Sequence, residues 1–179
     1  MKKIFTLCFL FFLSNSYSQN LDKAFNDFPI DSKFPAFNKE IVLTSKGDSI
    51  ASYAFIASGI QPKETVILLH GLPGNDNQFD IAQSLRRTGR NVIHFNYRGS
   101  WGSQGEFLYS NCLEDVNEVI NYFTSKEVSE KLRINTKSLV LIGRSFGGGI
   151  SLIQGSKNTH VKKIIAISSM NAGSEKHPI

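Results

Sequence analysis

The stretch SLVLIGRSFG, from Ser138 to Gly147, decides the fold of this chain. Its first five residues are an apolar run of the kind found in a strand that is buried on both faces. Gly143-Arg144-Ser145-Phe146-Gly147 follows at once, and a short helical pattern continues over Ile150 to Gln154. Gly-x-Ser-x-Gly between a strand and a helix is typical of a sharp turn that exposes a serine at the sheet edge. A phosphate-binding loop is the competing interpretation, but no Gly-Lys-Ser/Thr ending is present.

Similar apolar runs surround this stretch. Two strands, Glu40–Thr44 and Ile50–Ala57, flank a Lys46-Gly47-Asp48 turn and predict a hairpin. Buried strands are predicted at Thr65–His70, Asn91–Phe95, Ser138–Ile142 and Lys163–Ile167.

Amphipathic helical patterns lie between the buried strands. One has Phe79, Ala82 and Leu85 on one face, with Gly89 as its C′ residue, and the other has the stripe Leu113, Val116, Ile120 and Phe123. We expect Asn111 and Glu114 to form a capping box at the start of the second helix. The alternation predicts an α/β fold, a mostly parallel sheet with helices on both faces and an N-terminal antiparallel hairpin.

A second glycine-containing loop, His70-Gly71-Leu72-Pro73-Gly74, follows the strand that begins at Thr65. Ligands of parallel sheets sit at the carboxyl ends of the strands. This loop and the Ser145 turn are therefore expected to meet at one edge. A plain tight turn from strand to helix is the alternative interpretation of the loop.

A third segment follows the Asn91–Phe95 strand and reads Asn96-Tyr97-Arg98-Gly99-Ser100-Trp101-Gly102-Ser103-Gln104-Gly105. Together the three motifs resemble the α/β-hydrolase superfamily, and the third is similar to a stretch in prolyl-oligopeptidase-like, acylaminoacyl-peptidase-like and dienelactone-hydrolase-like members. The resemblance covers about residues 40 to 170. We interpret the third segment as structural support. Trp101 and Phe107 either border the substrate pocket or pack.

The resemblance implies a serine hydrolase that acts on ester or peptide bonds, with Ser145 as its nucleophile. Negative charge develops on the carbonyl oxygen during acyl transfer, and two backbone amides stabilise it. The candidates are the N–H groups of Leu72 and Phe146. The backbone of His70, rather than its ring, is expected to face the reaction.

Such a serine needs a base and an acid that orients the base. Members of the family carry them in the order serine, acid, histidine, after two later strands that we do not find in the 34 residues following Ser145. Glu175 and His177 have the right order, but they are two residues apart on one terminal loop and are poor candidates. His160 is expected to be solvated in a polar turn, and His94 to satisfy a local hydrogen bond in its strand.

Two explanations fit the absence of these two later strands from the sequence pattern. Truncation of a longer protein is favoured, because Lys163–Ile167 would otherwise be an exposed, aggregation-prone edge. A short protein that folds alone or pairs with a complementing chain is the other. The alternative to an active hydrolase is an inactive fragment or pseudoenzyme of the same fold that lacks the catalytic acid and histidine.

The N-terminus has the basic, apolar and small polar regions of a secretory signal, with cleavage expected after Ser18. Ten apolar residues, Ile4 to Leu13, are too few for the roughly 20 of a membrane anchor. We therefore predict a signal peptide at 1–18, an irregular lead-in at 19–39 and a partial hydrolase domain at 40–179. The exported product would be periplasmic or secreted.

Composition limits the partners. Removal of Lys2 and Lys3 lowers the formal charge from +5 to +3, and no basic run suggests nucleic-acid binding. Removal of Cys8 leaves Cys112 alone, which excludes an intrachain disulfide. No metal-ligand cluster or cofactor fingerprint is visible, so the expected partner is a small-molecule ester or peptide substrate and no cofactor is expected.

Overall fold

The computed structural model describes residues 25–26, 29–72, 74 and 78–171. Six strands form one sheet: β1 (Phe37–Ser45), β2 (Asp48–Ile56), β3 (Lys63–Leu69), β4 (Asn91–Phe95), β5 (Ile134–Arg144) and β6 (Val161–Ile167). Within these ranges four helices accompany them: α1 (Phe79–Arg87), α2 (Tyr109–Thr124), α3 (Lys126–Leu132) and α4 (Phe146–Gly155).

The strand order is β1-β2-β4-β3-β5-β6. β1, β2 and β4 pair antiparallel, whereas β4, β3, β5 and β6 run parallel. The predicted N-terminal hairpin and mostly parallel sheet are therefore confirmed. Because β4 and β5 lie on opposite sides of β3, the chain reverses direction across the sheet beside β3, which is where α/β folds open a crevice for ligands.

Apolar side chains cover both faces of the sheet. On one face α1 packs Ala82 against a small cluster that includes Phe55 and Leu68. On the other face α2 and α4 bury a larger core, in which Phe123 and Phe146 are almost fully enclosed. The predicted helical stripes are therefore the packed faces, and Gly89 is the C′ residue of α1, with φ 87°.

Three features of the chain depart from the sequence predictions. The capping box at Asn111 is wrong: α2 begins at Tyr109, and the Asn111 side chain instead donates to the Glu106 carbonyl at 3.0 Å. The short helix α3 was not predicted, because its KEVSEKL sequence has only two large apolar residues. The third departure concerns β6.

The apolar run Lys163–Ile167 predicted a strand buried on both faces, but most residues of β6 are exposed. Ile165 and Ile167 are 41% and 45% exposed. The reason is positional: among the described residues, β5 is the only strand paired with β6, so β6 forms an edge of the described sheet.

Candidate active site

The turn between β5 and α4 holds Ser145 in an unusual backbone conformation. Its φ is 52° and its ψ is −117°, which is rare for a residue with a side chain. β5 ends at Arg144 and α4 begins at Phe146, so a single residue reverses the chain. Ser145 is exposed at the carboxyl edge of the sheet. The strained, exposed turn predicted from the Gly-x-Ser-x-Gly pattern is present.

The two glycines of this turn are required by close backbone packing. A Cβ on Gly143 would overlap the carbonyl oxygen of Gly147, and a Cβ on Gly147 would overlap the carbonyl oxygen of Leu69. No flexible side chain could move aside to make room, because the obstructing atoms belong to the backbone. The glycines thus allow α4 to start directly against the ends of β3 and β5.

Backbone hydrogen bonds hold the Ser145 turn on both sides. The Ser145 N–H donates to the Ile167 carbonyl at 2.9 Å, and the Ser145 carbonyl accepts from Met170 N–H at 2.9 Å and from Gly148 N–H at 3.0 Å. The end of β6 and the first turn of α4 therefore fix the same residue. Such support is what a strained conformation requires in order to persist.

The loop after β3 meets this turn directly. Leu69 pairs with Gly143 across the parallel strands, so Gly71 is brought opposite Ser145, two residues further along. A Cβ on Gly71 would lie 3.1 Å from the Arg144 carbonyl oxygen and 3.2 Å from Ser145 Cβ. The structure thus brings together the two motifs that the sequence placed at one edge. Pro73 lies outside the described residues.

Leu72 and Phe146 are near neighbours of Ser145: Phe146 follows it in the chain, and Leu72 follows Gly71, which packs against it. Phe146 is the first residue of α4, and an N–H group in that position has no acceptor within its own helix. The positive end of the helix dipole adds to its attraction for an anion. Leu72 follows Gly71 and is 46% exposed. The pairing of these two amides as one oxyanion hole stays a prediction.

The histidines occupy different places. The His70 ring is buried, with Nδ1 2.9 Å from the Gly71 carbonyl oxygen, and packs edge-on to Tyr97 at a centroid distance of 4.6 Å. The His94 ring is buried within β4 and packs edge-on to Phe79. The interior position of the His70 ring agrees with the expectation that its backbone, rather than its ring, faces the reaction. The local hydrogen bond expected of His94 stays a prediction.

His160 lies in the turn before β6, at the amino edge of the sheet and so at the opposite end from Ser145. Its Nδ1 is 2.7 Å from the Thr136 carbonyl oxygen, so the ring is held by the chain and not merely solvated as the sequence suggested. Glu175 and His177 lie outside the described residues.

The loop after β4 forms one wall beside Ser145. Asn96 donates from its side chain to the Trp101 carbonyl at 2.7 Å, and Ser103 donates from its hydroxyl to the Asn96 carbonyl at 2.7 Å. Gln104 N–H donates to the Ser49 carbonyl of β2 at 2.8 Å. The loop is therefore tied to itself and to the sheet, which agrees with the predicted supporting role.

The two aromatic residues of that wall differ. Phe107 packs against Phe146, with ring centroids 5.4 Å apart, whereas Trp101 is 70% exposed. Both also line a hollow beside Leu72. Phe107 thus packs and borders the hollow at once, while Trp101 only borders it.

A buried ion pair, which no local sequence pattern predicts, anchors the start of this loop. The Arg98 guanidinium donates to Asp115 Oδ1 at 2.7 Å, and Arg98 N–H donates to Asp115 Oδ2 at 2.8 Å. Ser45 donates to the same carboxylate at 2.7 Å, and Glu114 takes a second bond from Arg98 at 2.7 Å. Asp115 lies 17 positions after Arg98 in the chain, and only the tertiary fold joins the two side chains.

Within the described ranges, no group of three or more His, Cys, Asp or Glu side chains could hold a metal ion. None of the helices in the same ranges has the length and apolar character that a membrane span requires.

Comparison with known proteins gives this arrangement a family. The family model described as "alpha/beta hydrolase fold" matches residues 64–178, well over half of the chain. The chain belongs to the α/β-hydrolase family. This confirms the resemblance drawn from the three motifs.

The relatives of this α/β hydrolase are longer proteins. The uncharacterised protein YfhR of Salmonella typhimurium is 30% identical over 119 residues, which are 64% of this chain and 39% of that protein. The chain therefore spans about two fifths of the length of the curated relatives it matches.

Two solved structures share the fold. The esterase Est22 matches with a TM-score of 0.68 at 16% identity, over 80% of this chain and 47% of Est22. The Xanthomonas campestris protein XC6422, an α/β serine hydrolase without a lid, matches with a TM-score of 0.62 at 22% identity, over 82% of this chain and 68% of its own.

Proposed function

We propose that this α/β hydrolase cleaves an ester or peptide bond, with Ser145 as nucleophile and the backbone amides of Leu72 and Phe146 as oxyanion hole. The conformation of Ser145 carries the proposal. A positive φ in a serine costs about 1–3 kcal/mol, and here the surrounding backbone maintains it while the side chain stays exposed. The esterase Est22 and the serine hydrolase XC6422, which share the fold, support the same reaction class.

The proposed reaction has two halves. Ser145 Oγ attacks the carbonyl carbon of the substrate, and its proton passes to a base while the two amides hold the negative oxygen. The bond to the leaving group then breaks, the leaving group takes the proton, and an acyl-serine remains. A water molecule, deprotonated by the same base, attacks the acyl carbon and releases the acid and the free hydroxyl.

We further propose that the base and its acid partner come from residues outside those described. His160 is at the opposite edge of the sheet, and the rings of His70 and His94 lie in the interior. The relatives matched here extend well beyond the length of this chain, which leaves room for both groups in a longer protein.

The proposed site of action is outside the cytoplasm. The N-terminal signal pattern over 1–18 supports export, and it lies outside the described residues. The proposed substrate is a small ester or peptide. The hollow bounded by Leu72 and Phe107 is open at the surface, and none of its described lining residues is charged.

The test is hydrolysis of p-nitrophenyl esters by the full-length protein, in which the proposed base and acid are present, and by its Ser145→Ala and Ser156→Ala variants. Ser156 is an exposed serine at the far end of α4, so it is the matched control. Loss of a serine nucleophile costs several orders of magnitude in rate, so Ser145→Ala should be at least about a thousandfold slower and Ser156→Ala unchanged. Equal rates for all three proteins contradict the proposal, and a complete lack of turnover identifies an inactive member of the family.

A further inference from the structure

The residue that follows β6, Ser168, has a backbone conformation as unusual as that of Ser145. Its φ is 47°, and the φ of Ser145 is 52°. Glycine adopts such values freely, whereas a residue with a side chain keeps them only where the surrounding structure imposes them. The side chain of Ser168 is exposed, so its own packing does not impose the conformation. The constraint comes from the backbone on either side of it.

The residues around Ser168 bind the backbone of Ser145 twice. The Ile167 carbonyl accepts from Ser145 N–H, and Met170 N–H donates to the Ser145 carbonyl, each at 2.9 Å. In a regular parallel ladder the N–H and C=O of one residue bond to residues two apart on the next strand, but Ile167 and Met170 are three apart. One extra residue is therefore accommodated, and a left-handed residue does this in many β-bulges. The positive φ of Ser168 thus lets one short segment bind both polar groups of Ser145.

Two further contacts hold this segment, Ile167–Met170, which we call the Ser145 clasp. A Cβ on Gly148 would lie 3.1 Å from both Cα and Cβ of Ser169, so the clasp rests on the first turn of α4. The Met170 side chain packs against the larger core. The clasp is therefore fixed against the same helix whose first residue follows Ser145.

The clasp acts on the peptide unit that carries one proposed oxyanion donor. The Ser145 carbonyl and the Phe146 N–H belong to this unit, which is planar, and in a trans peptide the two groups point in opposite directions. The hydrogen bond from Met170 N–H to the Ser145 carbonyl therefore fixes the direction of the Phe146 N–H. A hydrogen bond to the carbonyl also polarises the unit, which strengthens its N–H as a donor.

We propose that Ser168 is a positioning residue, whose left-handed backbone conformation forms the clasp and so aims the Phe146 N–H at the oxyanion of the substrate. The role belongs to the backbone, and the Ser168 hydroxyl takes no part in it. The inference rests on the proposed function, and it adds to that site a residue from outside the two loops that meet at Ser145.

Two substitutions at Ser168 in the full-length protein separate backbone conformation from side-chain chemistry. Ser168→Gly removes the hydroxyl but accepts the positive φ, so it should keep the native kcat for p-nitrophenyl esters. Ser168→Thr keeps the hydroxyl, but its β-branched side chain resists a positive φ. It should lose about tenfold or more in kcat with KM unchanged, because a misdirected donor weakens only the transition state. Equal kcat values for the two variants, or a loss in Ser168→Gly alone, overturn the proposal.

Lys46 provides a matched control at the other end of the sheet. It is exposed, has a φ of 51° and lies in the turn between β1 and β2. Its ion pair with Glu118 spans 3.7 Å at the surface, where such pairs contribute little. Lys46→Thr should therefore strain the fold in a comparable way and leave kcat at the native value. An equal loss of kcat in Lys46→Thr and Ser168→Thr would show a general effect of strain and would overturn the proposal.

Amide hydrogen exchange tests the clasp without any turnover. The N–H groups of Ser145 and Met170 should exchange about tenfold faster or more in Ser168→Thr than in the native protein, and at the native rate in Lys46→Thr. If this exchange pattern is found but the native protein hydrolyses no ester, the clasp stands and the proposed activity fails. If the native protein hydrolyses esters through Ser145 but Ser168→Thr keeps its kcat or its slow exchange, the activity stands and the positioning role is wrong.

Discussion

Gly71 packs against Ser145 so closely that a Cβ on the glycine would lie 3.2 Å from Ser145 Cβ. The two residues belong to loops that leave neighbouring parallel strands, paired through Leu69 and Gly143. This contact sets the distance between the proposed nucleophile and the Leu72 amide. The position of one proposed oxyanion donor therefore depends on the absence of a side chain next to it.

Gly71→Ala should lower activity more than stability. The added methyl meets Ser145 Cβ and the Arg144 carbonyl at just over 3 Å, so the two loops must separate by a few tenths of an ångström. Misplaced reacting groups can cost up to about a hundredfold in rate, and we expect a loss of about 10- to 100-fold in kcat/KM. Urea unfolding should show a loss of only about 1 kcal/mol. An unchanged rate would show that this contact does not position the site.

Ser145→Gly should stabilise the fold although it removes the proposed nucleophile. Glycine adopts the positive φ of 52° without strain, and relief of about 1–3 kcal/mol outweighs the roughly 0.5–1 kcal/mol that glycine loses in chain entropy. We expect a net gain of about 1 kcal/mol in urea unfolding. Ser156→Gly is the control, because Ser156 has an ordinary helical φ of −67° and should lose about 0.5 kcal/mol. The same sign for both changes would contradict the strain at Ser145.

The buried Arg98–Asp115 ion pair should contribute far more to the free energy of unfolding than the Arg98–Glu114 pair, whose carboxylate is half-exposed. Asp115 is fully buried and accepts from Arg98 and Ser45, so Asp115→Asn leaves the buried guanidinium with only the half-exposed Glu114 carboxylate as a counter-charge. Breaking such a pair costs about 3–5 kcal/mol. Glu114 binds the same Arg98, but its side chain is 47% exposed, and Glu114→Gln should cost less than about 1 kcal/mol. Urea unfolding of the two variants measures the difference, and equal losses would refute the assignment.

Stability should fall at alkaline pH through Cys112. Burial, followed by the nearby charge of Asp115, raises the pKa of the Cys112 thiol from 9.0 to about 12. The unfolded thiol loses its proton first, so the free energy of unfolding is undiminished below pH 9 and decreases between pH 9 and 12, by up to about 1.4 kcal/mol per pH unit. In Cys112→Ala the decrease should begin at a higher pH. It then comes from Tyr97, which ionises in the unfolded protein but keeps its proton when folded, because burial raises the pKa of its hydroxyl. Matching pH profiles for the two proteins would contradict this account.

The parts of the fold that the sequence could predict are those encoded locally. β4 spans Asn91–Phe95 as its apolar run indicated, and the Ser145 turn follows from two glycines and a serine between a strand and a helix. Both predictions succeed because neighbouring residues in the chain meet the physical requirement by themselves. The strand needs apolar side chains on both faces, and the turn needs glycines that leave room for nearby backbone.

The parts that the sequence could not predict depend on distant residues. The Arg98–Asp115 pair requires β4 and α2 to be docked before the two side chains can meet. The start of α2 differs from the predicted capping box because the Asn111 side chain bonds to Glu106 instead. The exposure of β6 depends on which segments cover it, and a strand's own sequence does not determine its neighbours.

The central claim, that Ser145 is the nucleophile, is tested most directly by covalent labelling. The full-length protein, in which the proposed base and acid are present, and its Ser145→Ala variant are treated with a fluorophosphonate, and the adduct is located by mass spectrometry of the intact chain and its peptides. We expect one adduct on the native protein, carried by the peptide that contains Ser145, and none on the variant. An adduct on another residue, equal labelling of the variant, or an unmodified native protein would contradict the claim.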